Sequence, residues 1–215
     1  MKKSSILAIF MPAILMTVII WLTFIFDNYF SLDLWQYGLF PRTLSGLVGV
    51  ITMPFLHGDW GHIINNTFPL IVLMTFLYYF YPHFFTRVFF LIWIISGLWT
   101  WVFARPSFHI GASAIIYGLA AFIFFAGIFI KEKKHIAISM LIVFLYGSII
   151  WGIFPIDFQT SWEGHLTGFA SGIILAIFFR KELKSRYLIV DTLSEEEDDD
   201  DEDDPDAYWK QPDTT

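Results

Sequence analysis

The chain has 215 residues, of which 56% are hydrophobic, 20% aromatic and only 15% charged. Soluble domains have about 25% charged residues, so this composition excludes a soluble enzyme and a DNA-binding domain, and with them a nucleic-acid partner. Thirteen acids and one lysine give residues 191–215 a net charge of −12, which leaves +5 for residues 1–190 out of a total of −7. The sequence has no cysteine, which excludes thiol nucleophiles, disulfides and thiolate metal sites.

Six long apolar stretches follow one another along residues 1–190. A bilayer core of about 30 Å requires about 20 apolar residues of helix, and Glu163 is the single charged residue within the six stretches. We therefore predict an all-α polytopic membrane protein with six transmembrane helices. The first stretch is longer than the apolar region of a signal peptide, so we expect it to be kept as a span. The predicted spans are residues 6–26, 63–81, 88–104, 112–130, 136–154 and 162–179.

Lysine and arginine are divided unequally between the two sides of the predicted bundle. Ten lie on one side and two on the other, and positive charge concentrates in cytoplasmic loops. We therefore expect cytoplasmic termini, with the loops 27–62, 105–111 and 155–161 facing outward. The ten are Lys2, Lys3, Arg87, Lys131, Lys133, Lys134, Arg180, Lys181, Lys184 and Arg186, and the two are Arg42 and Arg105.

Two segments do not fit the pattern of simple spans and turns. Within the first outer loop, residues 44–56 are apolar but too short and too interrupted by glycine and proline to cross the bilayer, so we expect a partly submerged loop. Residues 191–215 cannot bury an apolar face, and we expect a disordered acidic cytoplasmic tail after the membrane domain of residues 1–190. Such a tail serves either as a solvated tether or as a contact for a basic cytosolic partner.

Polar side chains cluster near the outward ends of the predicted spans, whereas the inward halves have no histidine or asparagine. Polar groups are costly inside a membrane and therefore indicate function. At a rise of ~1.5 Å per residue, Asn66, Ser113 and His165 lie ~22–27 Å from the inner ends of their helices, a similar depth for all three. The polar residues of the outward ends are His57, His62, Asn65, Asn66, Ser113, Tyr117 and His165.

Ser113 and His165 have the chemistry of a nucleophile and a general base. Ser113 begins the fourth stretch just after Gly111, where free backbone N–H groups can stabilise an oxyanion, although a lone serine there is also a common helix cap. Gly168 and Gly172 share the face of His165 and permit a neighbouring helix to come close. The two residues together predict a Ser–His dyad, and the alternative is a histidine bonded to a loop carbonyl.

No carboxylate completes a triad. Glu163 is two residues from His165 and projects to another face of the helix. Asp157 lies in a loop, and the sequence does not determine where its side chain is placed. Tyr117 shares the face of Ser113, so it either stacks on the imidazole or lines a helix interface. We therefore predict a dyad without an orienting acid.

The start of the second span offers two further side chains of interest. His62 and Asn66 are four residues apart and share one face, which suits an oxyanion hole, whereas Asn65 is expected to point elsewhere. A metal site that begins with His57 and His62 is the alternative. The absence of cysteine, the single nearby acid Asp59 and the five-residue spacing all disfavour zinc.

These motifs together resemble the rhomboid family of intramembrane serine proteases in its bacterial six-helix form. The resemblance covers about residues 5–185. It implies that Ser113 is the nucleophile, that His165 is the general base and that His62, Asn66 and the Ser113 N–H bind the oxyanion. It also implies that Tyr117 stacks on His165 and that Gly111 shapes the turn before the nucleophile. The motifs are His57-x4-His62-x3-Asn66, Gly111-x-Ser113 with Tyr117, and His165-x2-Gly168-x3-Gly172.

The resemblance implies a serine endopeptidase of the bacterial inner membrane that cleaves transmembrane protein substrates near the outer face without metal or cofactor. The chain departs from the family in two places. Ala114 replaces a common glycine and is expected to narrow the substrate pocket, and Trp35 and Arg42 are separated where many members have an adjacent Trp-Arg pair. The competing hypotheses are a catalytically silent relative that binds membrane clients and a small transporter, which would place polar groups near the bilayer midplane.

Overall fold

The computed structural model describes residues 6–156 and 160–202, and within these ranges the chain is helical with no β-strand. Six helices are long and apolar enough to cross a membrane, which confirms the predicted all-α bundle of six spans. The fifth span continues beyond α6 as a 3-10 helix, Gly147–Ile153. The helices are α1 (Ile6–Phe30), α2 (Gly49–Thr52), α3 (Trp60–Phe80), α4 (Phe85–Phe103), α5 (Ser113–Ile130), α6 (Lys133–Tyr146) and α7 (Trp162–Glu202).

Helix α5 lies at the centre of the bundle. It contacts α3, α4, α6 and α7. Of the 18 residues in its most apolar stretch 72% are buried, against 22% for α1 and 17% for the span that begins with α6. Its sequence explains the position, because alanine and glycine alternate with large apolar side chains such as Ile115 and Phe122 and let several helices come close. Ser113, the first residue of α5, is therefore surrounded by other elements.

Glycines set the distance between α5 and α7, the pair of helices with the most extensive contact. A Cβ on Gly168 would overlap the backbone of Ala114, and one on Gly172 would overlap the backbone of Gly118. A Cβ on Gly118 would in turn lie 3.0 Å from the Gly168 carbonyl oxygen. The predicted close approach along the glycine face of α7 is confirmed, with α5 as the partner.

The loop between α1 and α3, called the first outer loop after its predicted orientation, folds against α4. Residues Ser45–Phe55 form a short apolar helical segment, and the Trp93 indole donates to the Val50 carbonyl at 2.8 Å. Val50 and Met53 are buried within the protein, and submersion of the loop in the bilayer stays a prediction. Arg42 fixes the other side of the loop, since its guanidinium donates to the carbonyls that end α4.

The two ends of the bundle differ in chemistry. Helices α3, α5 and α7 begin at the end that we call the Ser113 end, and α4 and α6 begin at the opposite end, which we call the Arg87 end. At the latter, Arg87 pairs with Glu182 of α7 at 2.6 Å and lies over the rings of Phe84 and Phe179. All polar residues singled out in the sequence as site candidates lie towards the Ser113 end.

Helix α7 continues to Glu202, so residues 191–202 are helical where the sequence predicted disorder. An existing helix end removes the cost of nucleation, and glutamate has a good helix propensity, which together permit this extension. Residues 203–215 lie outside the described residues, as do the side chains beyond Tyr187. The division into a membrane domain and a tail stays a prediction.

Candidate active site

Ser113 is the first residue of α5 and does not cap it. The N-cap is Ala112, which makes no side-chain cap hydrogen bond, and Gly111 before it has a φ of +103°. That left-handed conformation favours glycine, and the Gly111 N–H donates to the Met53 carbonyl at 2.8 Å. The turn leaves the Ser113 hydroxyl free to contact another element, and its backbone N–H has no acceptor within the helix.

Ser113 and His165 are hydrogen-bonded, with 2.9 Å between the Ser113 Oγ and the His165 Nε2. The His165 Nδ1 lies 2.9 Å from the carbonyl oxygen of Gly152, which can only accept, so Nδ1 carries the proton. The Nε2 is then the acceptor, and the Ser113 hydroxyl donates to it. This is the tautomer that a general base requires.

Tyr117 stacks on His165. The two ring centroids are 4.2 Å apart and the planes differ by only 6°. The Tyr117 hydroxyl donates to the carbonyl of Ile149 at 2.8 Å, which fixes the phenol ring. The 3-10 helix Gly147–Ile153 thus supplies both the Ile149 and the Gly152 carbonyls, and it holds the two stacked rings together.

His62 and Asn66 lie on α3 beside Ser113. Asp59 caps α3 by accepting from the His62 N–H at 2.9 Å, and the Asn66 side-chain nitrogen donates to the His62 carbonyl at 2.9 Å. One N–H of the Asn66 amide therefore stays available. A Cβ on Gly111 would overlap the His62 imidazole, so the glycine brings α3 and the turn before Ser113 into close contact.

These side chains surround one cavity of about 710 Å³. Asn65 also lines it, so the expectation that Asn65 points elsewhere is wrong; the cavity is wide enough to reach the next position around α3. Polar and apolar groups share the wall, which suits a peptide with side chains of mixed character. The polar side chains that line the cavity are Asp59, His62, Asn65, Asn66, Ser113, Tyr117, Thr160, Ser161 and His165.

Comparison with known proteins places this fold and site in a family. A model of the Rhomboid domain matches residues 45–182, which include every residue of the dyad and of the cavity named above. The chain belongs to the rhomboid family. It is accordingly a multi-pass integral membrane protein of a family composed mostly of intramembrane serine proteases.

Relatives of this rhomboid protein occur in mycobacteria. It is 37% identical over 161 residues to uncharacterized proteins of Mycobacterium bovis and Mycobacterium tuberculosis, which covers 70% of this chain and 67% of each relative. An uncharacterized protein of Mycobacterium leprae is 34% identical over 152 residues, with 66% of this chain and 60% of the relative covered. These uncharacterized relatives assign no activity.

His57 packs against the rhomboid site without entering the cavity wall. It is 4% exposed, its ring centroid lies 4.8 Å from that of His62, and neither ring nitrogen has a hydrogen-bond partner among the residues that the structure describes. Burial, reinforced by the neighbouring His62, lowers the pKa of His57 to about 3, so the imidazole is neutral at pH 7. Within residues 6–156 and 160–202 no group of three histidine or acidic side chains is arranged to hold a metal ion.

Two departures from the rhomboid pattern have a structural outcome. Ala114 packs with Leu39, Val50 and Met53 beneath the first outer loop, so the expectation that its methyl narrows the substrate pocket is wrong. Its position one residue after Ser113 turns it by about 100° around α5, away from the cavity. Trp35 and Arg42 act separately, since Trp35 packs edge-on against Phe108 while Arg42 caps α4.

The sequence analysis missed His109 and Ser161. The His109 Nδ1 lies 2.6 Å from the Ser161 Oγ, and Ser161 lines the cavity next to His165. Glu163 is also engaged here, since its carboxylate pairs with the Arg105 guanidinium at 3.5 Å. His109 lies in a loop and has no periodic pattern around it, so only its position four residues before Ser113 pointed to the site. Asp157, the other acid considered, lies outside the described residues.

Proposed function

We propose that this rhomboid protein is an intramembrane serine endopeptidase that hydrolyses peptide bonds in transmembrane segments of other proteins. The observation that carries the proposal is the 2.9 Å hydrogen bond between the Ser113 Oγ and the His165 Nε2. The other ring nitrogen, Nδ1, donates its proton to the Gly152 carbonyl. A serine hydroxyl that donates to a neutral, oriented imidazole is the arrangement required for nucleophilic catalysis.

The proposed reaction is acyl transfer in two steps. His165 Nε2 takes the Ser113 proton while the Ser113 oxygen bonds to the scissile carbonyl carbon, and the carbonyl oxygen becomes an oxyanion. The oxyanion is bound by the Ser113 N–H, His62 and Asn66, and the imidazolium then gives its proton to the leaving amine. In the second step water attacks the acyl-enzyme, with His165 again taking and returning the proton.

Supporting groups take the place of a carboxylate in this proposal. The Gly152 carbonyl holds the Nδ1 proton, and the stacked Tyr117 ring keeps the imidazole plane fixed. The cavity supplies room for the unwound peptide and for the water that hydrolyses the acyl-enzyme. Carbonyl oxygens and π faces carry no net charge, so the dyad avoids the cost of an additional buried anion.

The proposal includes a location. We infer a bacterial inner membrane with cytoplasmic termini, so that the cavity opens towards the outer face and substrates are cleaved near their outer ends. The acidic tail then lies on the side opposite the cavity, as a tether or as a contact for a basic cytosolic partner.

The test uses the purified full-length protein in detergent or lipid with a transmembrane model substrate. Wild type is expected to cleave it, and Ser113→Ala and His165→Ala are expected to lose at least about a thousandfold in rate. Ser96→Ala is the matched control, because Ser96 is a fully buried serine whose hydroxyl donates to the Trp93 carbonyl within α4.

Three results would count against the proposal. Cleavage that persists in Ser113→Ala excludes Ser113 as the nucleophile, and so does labelling of another residue by a serine-directed fluorophosphonate. Wild type that binds the substrate without cleaving it would instead support the catalytically silent relative.

A further inference from the structure

Two serine–histidine hydrogen bonds join the same two segments of the chain, four residues apart in each segment. Ser113 bonds to His165, and His109 bonds to Ser161. His109 is four residues before Ser113 and Ser161 is four residues before His165, so both pairs span 52 positions. The His109–Ser161 pair, which we call the rung, therefore lies directly before the dyad. In the rung the histidine comes from the segment that contributes the serine of the dyad, and the serine from the segment that contributes the histidine.

The protons of the second rung are fixed by the partners of His109. Its Nε2 lies 3.2 Å from the carbonyl oxygen of Arg105, so Nε2 carries the proton and Nδ1 accepts from the Ser161 hydroxyl. His109 is only 2% exposed, and burial lowers its pKa, which keeps the ring neutral and Nδ1 free to accept. A hydrogen bond formed in such a buried place is costly to leave unmade.

His109 is itself held in a rigid frame. Its backbone exchanges two hydrogen bonds with Leu39, at 2.8 and 3.0 Å, which tie it to the first outer loop. Ser161 immediately precedes α7, and its Oγ lies over the first turn, 2.8 Å from the place that a Cβ on Gly164 would occupy. The rung thus connects a fixed loop to the start of the helix that carries His165.

A second contact joins the same segments. Glu163, buried in the first turn of α7, pairs with the Arg105 guanidinium at 3.5 Å and accepts from the Arg105 N–H at 3.3 Å. The Arg105 side chain also donates to the Thr160 carbonyl at 2.7 Å. The α4–α5 loop therefore contacts the start of α7 through Arg105 and His109, which bind Thr160, Ser161 and Glu163.

The dyad requires a fixed register along the axis of α7. The Thr100–Thr167 hydrogen bond at 2.8 Å and the Arg87–Glu182 pair tie α7 to α4. The His109–Ser161 rung and the Arg105–Glu163 pair tie the start of α7 to the loop that leads into Ser113. The glycine contacts between α5 and α7 set the separation of the helices, and the hydrogen bonds add a preferred distance and direction. A displacement of about 1 Å at a reacting group can cost about a hundredfold in rate.

We propose that His109 and Ser161 are positioning residues that set the register of α7 against the start of α5 and so hold His165 within reach of Ser113. This inference rests on the proposed Ser113–His165 dyad. The rung acts on the geometry of the dyad and makes no contact with the reacting carbonyl.

The test measures the dyad directly as well as through cleavage. For purified wild type, Ser161→Ala and Ser161→Thr we measure kcat and KM on a transmembrane substrate, the rate of Ser113 labelling by a fluorophosphonate, and Tm. Ser161→Ala is expected to lower kcat and the labelling rate together by about tenfold, with KM within about twofold. Ser161→Thr keeps the hydroxyl and is expected to stay within about threefold of wild type.

Ser139→Ala is the matched control. Ser139 is fully buried and its hydroxyl also bonds across a helix interface, from α6 to the Phe124 carbonyl of α5, but away from the dyad. It is expected to change Tm as much as Ser161→Ala while leaving the labelling rate unchanged. Should Ser161→Ala not fold, Ser161→Thr is compared with Ser161→Val, which has the same shape without the hydroxyl, and only the valine variant is expected to label slowly.

His109→Ala adds a thermodynamic cycle. If the two residues act as one rung, the double variant His109→Ala/Ser161→Ala is expected to be no slower than the slower single variant. Additive losses in kcat would overturn the proposal, as would equal labelling rates for Ser161→Thr and Ser161→Val. A loss confined to KM would instead make Ser161 a substrate contact and overturn the positioning role.

Failure of the dyad itself is distinguishable. Wild type that neither cleaves nor labels at Ser113 overturns the proposed function and this inference together. Wild type that is active and Ser113-dependent, with Ser161→Ala indistinguishable from it, overturns this inference alone.

Discussion

At the scale of single residues, the orientation of His165 depends on a backbone carbonyl where soluble serine proteases use a carboxylate. The carbonyl oxygen of Gly152 lies 2.9 Å from the His165 Nδ1 and accepts its proton in a hydrogen bond, and this oxygen carries only a partial negative charge. A full negative charge at this depth would need its own partners, whereas a carbonyl is already present in every residue. The imidazolium formed during the proposed reaction is stabilised less by a carbonyl, which gives the stacked Tyr117 a larger part in holding the ring.

Two substitutions of Tyr117 separate the stack from the hydroxyl. Tyr117→Phe keeps the ring at 4.2 Å from His165 and loses only the bond to Ile149, so kcat is expected to fall by less than about fivefold. Tyr117→Ala removes the stack, and we expect kcat to fall by about a hundredfold with little change in KM. Steady-state cleavage of a transmembrane substrate measures both, and equal losses in the two variants would contradict a role for the stacked ring.

His57 predicts how stability depends on pH. Its pKa is about 3 when folded and about 6.5 in an exposed chain, so the unfolded state binds a proton that the folded state does not between these values. Stability is therefore full above pH 6.5 and falls as the pH decreases towards 3, by up to about 1.4 kcal/mol for each pH unit from this residue. His57→Phe abolishes that contribution while keeping a ring.

We expect the Tm of wild type to fall more steeply than that of His57→Phe between pH 7 and pH 5, measured by thermal unfolding in detergent. Every other histidine is present in both proteins, so the difference between the two curves reports on His57. Parallel curves would mean that protonation of His57 is not linked to unfolding.

At the scale of elements, the contact between α5 and α7 determines whether the dyad can form. Gly168→Ala would press a methyl group into the backbone of Ala114, one residue after Ser113, and so push the two helices apart. We expect a loss of about 1–3 kcal/mol in stability and at least a tenfold lower rate of Ser113 labelling by a fluorophosphonate.

Gly147→Ala is the control for this substitution. A Cβ there would meet only a Val143 methyl group at 3.6 Å, an ordinary contact, although Gly147 begins the 3-10 helix that supports the dyad. We expect its Tm and its labelling rate to match those of wild type. A Gly168→Ala protein that labels as fast as the control would show that the contact tolerates expansion.

The elements also show which features a sequence can reveal. Spans follow from hydropathy alone, and the glycine face of α7 follows from spacing, because both depend on side chains that the sequence names. The roles of the Gly152 and Ile149 carbonyls as hydrogen-bond acceptors could not be predicted, because every residue has a backbone oxygen and the sequence does not indicate which one accepts. His109 was missed for a related reason: its partners Leu39 and Ser161 are distant along the chain, and a loop has no periodicity to indicate which face it presents.

Predictions about side-chain direction were less secure than those about position. The helical spacing placed Asn66 correctly beside His62, but it also placed Asn65 outside the cavity. The family resemblance, in turn, placed the Ala114 methyl beside the substrate pocket. A rotation of about 100° per residue decides direction only when the width of the cavity and the tilt of the helix are known. Both depend on how α3 and α5 pack, which is a property of the whole bundle.

At the scale of the molecule, charge is separated between the two ends of the bundle. Arg42 and Arg105 lie at the Ser113 end, where both are engaged with backbone carbonyls, while Arg87, Lys131 and the other bases of residues 6–190 belong to the opposite end. The net charge of −7 therefore combines a basic part, residues 1–190, with an acidic segment, residues 191–215. Positive charge at the Arg87 end predicts that this end faces the cytoplasm.

This orientation can be tested because the chain has no cysteine, so each introduced thiol is unique. Gln36 and Lys133 are exposed and lie at opposite ends, Gln36 in the first outer loop and Lys133 at the start of α6. A membrane-impermeant maleimide applied to intact cells is expected to label Gln36→Cys and to leave Lys133→Cys unmodified. After permeabilisation both thiols are expected to react, which controls for local accessibility. Labelling of Lys133→Cys but not Gln36→Cys in intact cells would invert the topology and place the cavity, with the proposed cleavage, on the cytoplasmic side.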